Sequence, residues 1–165
     1  MSTRSTRIEE RIAVAAPPEV VWEAVTDWEA QQDWILATKM RVEPGGHGLG
    51  ERFTATTALG PVGFADHMEV TLWDPPHRVD VRHLGKVVCG TASFIVEPAP
   101  GGSWFTWVEE LELPLGQAGR AGFKAVGPLA GRGLRLSMKR LARDLEARTR
   151  KGGSRLKPVD ALRDR

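Results

Sequence analysis

The sequence predicts one α+β domain in which an antiparallel sheet packs against a long C-terminal helix. Its 165 residues match one typical domain and can bury a substantial core. Apolar and polar residues alternate over 62–72 and 103–113, which is the pattern of half-buried strands. Near the C-terminus helical periodicity replaces this alternation, with four apolar residues spaced four, three and four apart: Leu134, Met138, Leu141 and Leu145.

The first strand is predicted at Ile8–Val14, where residues alternate and Glu10 is the polar member of an otherwise apolar face. Two adjacent prolines come next, and proline is well tolerated in the first turn of a helix, so a short helix is predicted there. Thr26 and Glu29 have the spacing of a capping box, so a second short helix is predicted to begin there and to carry the chain to Trp34. Two small helices therefore interrupt the sheet early.

The segment from Thr38 to Leu113 is predicted to be an antiparallel meander. Its apolar runs are separated by Gly-Gly, Gly-Pro, Pro-Pro and Pro-Gly turn signals, and no helix alternates with the strands. Two inward-facing positions break the apolar pattern. Asp66 interrupts the face that runs from Val62 to Leu72, and Glu109 interrupts the inward face of the last strand.

The lead-in to the last helix, residues 117–133, contains five glycines and one proline. Because each interior glycine costs a helix about 1 kcal/mol relative to alanine, we expect this stretch to be broken or mobile. Gly152 and Gly153 are expected to end the helix.

Charge and cysteine content exclude several classes of protein. Cys89 is the only cysteine, which rules out an internal disulfide and a multi-cysteine metal site. Residues 148–165 carry a net charge of +5, so the rest of the chain carries −3 although the total is +2. A basic end of this kind is typically solvated and disordered, although it could bind acidic lipid or nucleic acid nonspecifically. We therefore expect a flexible terminus (1–6), one domain (7–149) and a basic disordered tail (150–165).

No signal peptide or membrane span is evident in the sequence, so we expect a cytoplasmic protein without specific nucleic-acid binding. The sequence does not indicate an oligomeric state.

The order of elements and three motifs resemble the SRPBCC (START-like) superfamily, in particular its polyketide cyclase/dehydrase group. The motifs are the Ala-Pro-Pro-Glu-Val-Val-Trp helix start, Trp34 and the Val-Thr-Leu-Trp-Asp-Pro-Pro-His-Arg-Val turn. The resemblance extends from about Ile8 to Arg148. It implies a helix-grip fold, in which a curved antiparallel sheet of about seven strands wraps the C-terminal helix and leaves a cavity for a ligand. A fully packed core is the alternative.

In such a sheet the first and last strands pair, which brings Glu10 towards Glu109. If the numbers of paired residues sum to 119, these two carboxylates lie directly opposite each other. Registers shifted by two residues also match the apolar faces of the two strands. Two carboxylates on one desolvated wall cannot both ionise cheaply, so one could exchange protons near neutral pH. Alternatively, one or both point to the solvated rim, or an inward arginine neutralises them.

Asp66 and His83 face inward on neighbouring strands and could approach each other, which would make His83 an Asp-oriented general base. His83 also lies beside Leu-Gly at a strand end, where an exposed imidazole is more common. His67 faces the opposite side from Asp66, and no histidine pair has ligand spacing with a third donor. The sequence therefore predicts neither a metal site nor a cofactor.

Apolar side chains on the inward faces are the candidates for ligand binding: Phe64, Met68, Phe105, Trp107, Leu134 and Met138. Trp107 could stack on a planar ligand, and a filled core explains it equally well. Trp22, Trp28 and Trp34 are expected to pack the small helices onto the sheet.

Three functions are consistent with these observations. The first is binding of a small hydrophobic ligand, lipid or polyketide-like. The second is aromatase, cyclase or dehydratase chemistry with Glu10, Asp66 and Glu109 as acid-base candidates and His83 as a weaker one. The third is a nonenzymatic partner module that acts through the basic tail.

Overall fold

A computed structural model describes residues 5–59, 62–85, 88–112 and 116–153, and within these ranges it describes all side chains except those at 5, 59, 62, 116–126 and 152–153. It contains seven strands and three helices: β1 (Ser5–Val14), α1 (Pro18–Thr26), α2 (Gln31–Trp34), β2 (Thr38–Val42), β3 (Arg52–Leu59), β4 (Val62–Asp74), β5 (Arg78–Leu84), β6 (Cys89–Ala99), β7 (Gly102–Glu112) and α3 (Gly116–Gly153). This order confirms the predicted helix-grip α+β fold.

The seven strands form one antiparallel sheet in the order β1-β7-β6-β5-β4-β3-β2. Strands β2 to β7 are a meander, and β1 joins its far edge by pairing with β7. Side chains alternate between the two faces, and the inward face packs against α1, α2 and α3. The alternation read from the sequence therefore locates the core on one side of the sheet.

The register of β1 against β7 differs by two residues from the one that would set Glu10 opposite Glu109, and it is one of the alternatives that also match the apolar faces. Glu10 lies opposite Trp107, and Glu109 lies opposite Ile8. Parity of the apolar pattern fixes which side chains share a face, but it does not choose between registers that differ by two. The two carboxylates are consequently diagonal neighbours rather than a directly opposed pair.

Strand β4 carries an irregularity that the sequence did not predict. Its pairing with β5 shifts between Val70 and Leu72, so the strand changes phase there. Leu72, expected on the inward face, is 37% exposed, while Trp73 pairs with the buried Val79. The bulge turns the end of β4 towards α1, where Trp73 meets Trp22 edge-to-face at 5.1 Å.

The early tryptophans pack the small helices onto the sheet, as predicted. Trp28 stacks on Phe53 with ring centroids 4.2 Å apart, and Trp34 meets Trp107 edge-to-face at 5.9 Å. All of these rings are buried. This end of the domain is a close-packed aromatic core.

The predicted capping box is absent. The Thr26 hydroxyl donates to the carbonyl of Trp22 inside α1, and α2 begins only at Gln31 without a side-chain cap. A threonine inside a helix can bond back to the carbonyl four residues earlier, and Thr26 does so instead of capping α2.

The glycine-rich lead-in is helical, which corrects the expectation of a break. α3 is continuous from Gly116 to Gly153, with Pro128 inside it. Packing on the sheet explains part of this, because α3 buries Met138, Leu141 and Leu145 there. At Gly131 an added Cβ would meet β1 only at ordinary contact distance, 3.6 Å from Glu10 Oε1. Tertiary packing of the helix offsets the low helix propensity of its glycines.

The element ends also differ from the expected boundaries. β1 already includes Ser5 and Thr6, which precede the predicted start at Ile8, and α3 reaches the two glycines that were expected to end it, Gly152 and Gly153. The rest of the basic tail, residues 154–165, lies outside the described residues. No helix among the described residues is long and apolar enough to cross a membrane.

Gly90 allows β6 to lie close to β7. Its φ is +123°, and a Cβ added there would lie 1.9 Å from the carbonyl oxygen of Glu110. Only glycine combines this backbone conformation with this contact.

We expect Gly90→Ala to lower the free energy of unfolding by roughly 2 kcal/mol or more, because alanine adds both backbone strain and a steric clash. Urea unfolding followed by circular dichroism measures the loss. Gly45→Ala is the matched control, since nothing lies within 4 Å of its added Cβ. Equal stability of the two variants would contradict the proposed clash.

Candidate functional site

Three ionisable side chains from three different strands meet on the inward face of the sheet. The Nδ1 atom of His83 lies 2.7 Å from Asp66 Oδ2, and its Nε2 atom lies 3.2 Å from Glu109 Oε2. The side chains are 4%, 10% and 13% exposed for His83, Asp66 and Glu109 respectively. We call this group the inner polar cluster.

The strands bring this cluster together through small residues on β6. His83 on β5 pairs with Gly90, and the next inward residue of β6, Ala92, pairs with Glu109 on β7. Neither β6 residue has a side chain large enough to separate the imidazole from the carboxyl group. His83 can therefore reach across the intervening strand to Glu109.

Asp66 approaches His83 diagonally. Met68 is the residue of β4 that lies opposite His83, and Asp66 is two positions away on the same face. This confirms the predicted approach of Asp66 and His83. It also corrects the expectation of an exposed imidazole, because His83 continues the buried face of Val79 and Val81.

A tryptophan completes the hydrogen bonding of Glu109. The indole Nε1–H of Trp107 donates to Glu109 Oε1 at 2.7 Å, so both carboxyl oxygens have partners. The sequence predicts only an apolar contact for Trp107, in the core or against a planar ligand. Its spacing of two residues from Glu109 on the same strand face was the signal that could have revealed this bond.

The pKa of His83 is raised to about 9. Burial lowers the pKa of the imidazole, but hydrogen bonds with Asp66 and Glu109 and the attraction of their charges raise it by more. His83 is therefore a cation at neutral pH, held between two carboxyl groups.

Two buried polar atoms have no hydrogen-bond partner among the described residues: Asp66 Oδ1 and Trp34 Nε1. Leaving a buried polar group unpaired costs about 1–3 kcal/mol. One is an acceptor in the inner polar cluster, and the other is a donor on the ring that packs against Trp107. On the inner side of the sheet, Asp66 Oδ1 can therefore accept one further hydrogen bond and Trp34 Nε1 can donate one.

Glu10 has a different partner from the other carboxylates. Its Oε2 accepts a hydrogen bond from Arg135 Nε on α3 at 2.6 Å, and its side chain is 17% exposed. The structure thus couples Glu10 to the helix through an arginine, which was one of the alternatives considered for this residue.

The apolar candidates occupy two environments. Phe105, Trp107, Met68 and Met138 are buried in the core, and Leu134 is partly buried against it. Phe64 is in phase with Asp66 on β4 and is 45% exposed. The inward face therefore becomes accessible to solvent at the Phe64 end, two residues from the cluster.

Two surface depressions lie away from the inner polar cluster. One, of about 210 Å³, is formed by the loop before β3, and the other, of about 230 Å³, lies on the outer face of the sheet around Arg7 and Arg78. The cavity predicted between sheet and helix stays a prediction.

The remaining titratable candidates have structural surroundings. His67 is exposed on the outer face and bonds Thr54 at 2.8 Å, and the thiol of Cys89 donates to the carbonyl of Gly85. Within 5–59, 62–85, 88–112 and 116–153, no group of three or more His, Cys, Asp or Glu residues is arranged to hold a metal ion.

Comparison with known proteins agrees with the fold. Residues 5–146 match the model of the family described as polyketide cyclase / dehydrase and lipid transport. No curated protein matches the sequence closely enough to be significant.

Several solved structures share the fold at low sequence identity. The Zhui aromatase/cyclase from Streptomyces has a TM-score of 0.76 at 16% identity, covering 91% of this chain and 99% of that one. A protein from Thermus thermophilus has a TM-score of 0.74 at 17% identity, covering 86% and 98%. A norcoclaurine synthase mutant from Thalictrum flavum, in complex with a transition-state analogue, has a TM-score of 0.62 at 18% identity, covering 87% and 99%.

The raised pKa of His83 predicts a pH-dependent stability. A folded-state pKa above the ordinary value of 6.5 contributes stability that is complete below pH 6.5 and is lost as pH rises through about 9. We expect the free energy of unfolding to fall by an amount on the order of 3 kcal/mol across this window. Urea titrations at both ends of the window measure it.

His83→Gln should lack this loss, whereas His67→Gln, on the exposed outer face, should retain it. An NMR titration that finds His83 losing its proton at or below pH 6.5 would rule out the cationic assignment.

Proposed function

The chain belongs to the polyketide cyclase/dehydrase and lipid transport family, and from that membership we propose that it binds a small, mainly apolar molecule at the inner polar cluster. The observation that carries this proposal is the Asp66–His83–Glu109 network, a buried charged group on an otherwise apolar wall. A pocket of this composition holds an apolar body by burial and orients it by a few polar contacts.

The chemistry of the cluster indicates the ligand class. Asp66 Oδ1 is a buried acceptor without a partner among the described residues, so it favours a ligand with a hydroxyl or another hydrogen-bond donor. The neighbouring apolar side chains, Met68 and Trp107, suit a hydrocarbon or aromatic body. A lipid or polyketide-like metabolite with a polar group has both features.

Phe64 supports an entrance at the same end of β4. A large apolar side chain that is 45% exposed and in phase with Asp66 can contact an apolar ligand as it enters. The cytoplasmic location expected from the sequence agrees with such a role and stays a prediction.

Acid-base catalysis of a cyclase or dehydratase kind is the second candidate, and the paired imidazole and carboxyl groups favour it. In a β-hydroxy ketone, a carboxylate of the cluster would take the proton α to the carbonyl. The His83 imidazolium would protonate the departing hydroxyl, which leaves as water as the carbon–carbon double bond forms. Glu10, bonded to Arg135, is less suited to this role.

The third candidate is a partner module that uses the basic tail, residues 150–165, of which 154–165 lie outside those described. It stays a sequence-based hypothesis, and removal of residues after Arg150 tests it.

We expect the wild-type protein to bind naphthol more tightly than naphthalene, because only naphthol can donate a hydrogen bond to Asp66. Asp66→Asn should weaken naphthol binding by about tenfold or more and leave naphthalene binding unchanged, since a hydrogen bond to a charged group contributes about 1.5–3 kcal/mol. Calorimetry measures both affinities, after native mass spectrometry and solvent extraction identify any copurifying molecule. Asp80→Asn, in an ion pair with Arg78 on the outer face, is the control.

Equal affinity for both probes in wild type and Asp66→Asn would contradict the assignment of Asp66. Absence of any copurifying molecule, together with no stabilisation in melts with apolar compounds, would contradict ligand binding itself.

Glu109→Gln separates the first two candidates. A carrier variant should keep its ligand, whereas an enzyme variant should bind the ligand and lose turnover by roughly a hundredfold or more. Loss of a β-hydroxy ketone is followed by the absorbance of the enone. Glu110→Gln, the adjacent residue paired with exposed Arg7, is the control. Full turnover in Glu109→Gln would exclude Glu109 from the chemistry.

A further inference from the structure

The charge of this chain is divided sharply between the last helix and the rest of the protein. The segment Gly116–Gly153 contains ten Lys or Arg and two acidic residues, a net charge of +8. Residues 1–115 carry a net charge of −8. The near-neutral total therefore hides a strongly basic helix on an acidic sheet.

The described part of α3 displays this charge on one side. Its buried side is apolar and faces the sheet, at Met138, Leu141 and Leu145. Its exposed side carries one stripe at helical spacing: Leu129, Arg132, Leu136, Lys139, Arg143 and Arg150. Arg140 flanks this stripe. We call this surface the basic stripe.

The charges of the basic stripe are accessible. Of the ion pairs that the described residues form, one involves α3, and it joins Arg135 to Glu10 at the margin of the stripe. Arg132, Lys139 and Arg143 take part in none of those pairs, and all three are exposed. Their charge is therefore available to an external partner.

The basic stripe also exposes apolar side chains. Leu129 is 66% exposed and Leu136 is 53% exposed, one on each side of Arg132 along the helix. Large exposed leucines between cationic side chains match a surface that is anionic at its phosphates and apolar just beneath them. A nucleic-acid backbone offers the anionic component without the apolar one.

We propose that the basic stripe of α3 docks on the surface of an anionic lipid bilayer. The arginine and lysine side chains contact lipid phosphates, and Leu129 and Leu136 insert between the headgroups. The opposite side of the helix stays packed on the sheet, so docking requires no unfolding. The proposal stands independently of which molecule the inner polar cluster binds.

The test measures cosedimentation of the full chain with two kinds of vesicle: phosphatidylcholine alone and phosphatidylcholine mixed with phosphatidylserine. We expect binding to the mixed vesicles only, falling with added salt as exposed charges are screened. Lys139→Glu/Arg143→Glu should weaken this binding by well over tenfold, given about a fivefold loss for each positive charge removed near the surface. Lys39→Glu/Arg41→Glu, with the same change in charge on exposed positions of β2, is the control and should bind as wild type.

Leu136→Gln distinguishes a bilayer from nucleic acid. It should weaken vesicle binding severalfold and leave any binding to duplex DNA or RNA unchanged. The proposal is overturned if the mixed vesicles do not bind, if the β2 control loses binding equally, or if the α3 charge variant binds as wild type. It is also overturned if Leu136→Gln leaves vesicle binding unaltered, or if the charge variant instead abolishes self-association of the chain. Circular dichroism melts establish that each variant is folded.

Discussion

A buried imidazolium held between two carboxyl groups is the interaction on which the concave side of this sheet depends. Burial disfavours the charge of His83, and Asp66 and Glu109 together restore it, so the three side chains form one unit. Buried ion pairs are seldom more stabilising than an apolar replacement of the same size, whereas removal of one partner leaves a costly unpaired charge. The cluster is therefore better explained by function than by stability. The unpaired Asp66 Oδ1 agrees with this view, because a network selected for stability alone would satisfy every buried atom.

The fold separates a packed half from a polar half along the same strands. Towards α1 and α2 the inward residues are aromatic, with Phe94 in edge-to-face contact with Trp107 at 4.8 Å, and this end behaves as an ordinary core. Towards the other end the inward residues become Asp66, His83 and Glu109, and β6 contributes only Gly90 and Ala92. Small residues on the middle strand thus do two things: they let polar groups from β5 and β7 meet, and they leave the inner face without bulky side chains at that level. Trp107 links the halves, because it packs in the core and hydrogen-bonds to Glu109.

The sequence predicted the fold well because its information is periodic. Strand alternation and the Leu134–Leu145 stripe assign faces directly, and they correctly turned Asp66, His83 and Glu109 inward. The distance between two side chains on neighbouring strands depends on the register and on bulges. The alternation of apolar residues along each strand determines neither. The sequence therefore left open whether Glu10 lies opposite Glu109, and it kept Leu72 on the inward face. The glycine-rich start of α3 was predicted wrongly for another reason: helix propensity counts the cost of each glycine, whereas burial of the apolar side of α3 against the sheet offsets that cost.

Helix α3 has two sides with opposite requirements, one packed on the sheet and the other exposed to solvent. At Gly131 the helix lies against β1 beside Glu10, while the leucines at 129 and 136 are exposed on the other side. The Glu10–Arg135 bond ties the margin of the basic stripe to the same strand that borders Trp107. A helix bound to a bilayer through its outer side would therefore bring β1 and the inner polar cluster close to the membrane as one rigid unit. For a protein that binds an apolar molecule, this arrangement shortens the aqueous path between the lipid surface and the binding site, where the hydrophobic effect opposes transfer most strongly.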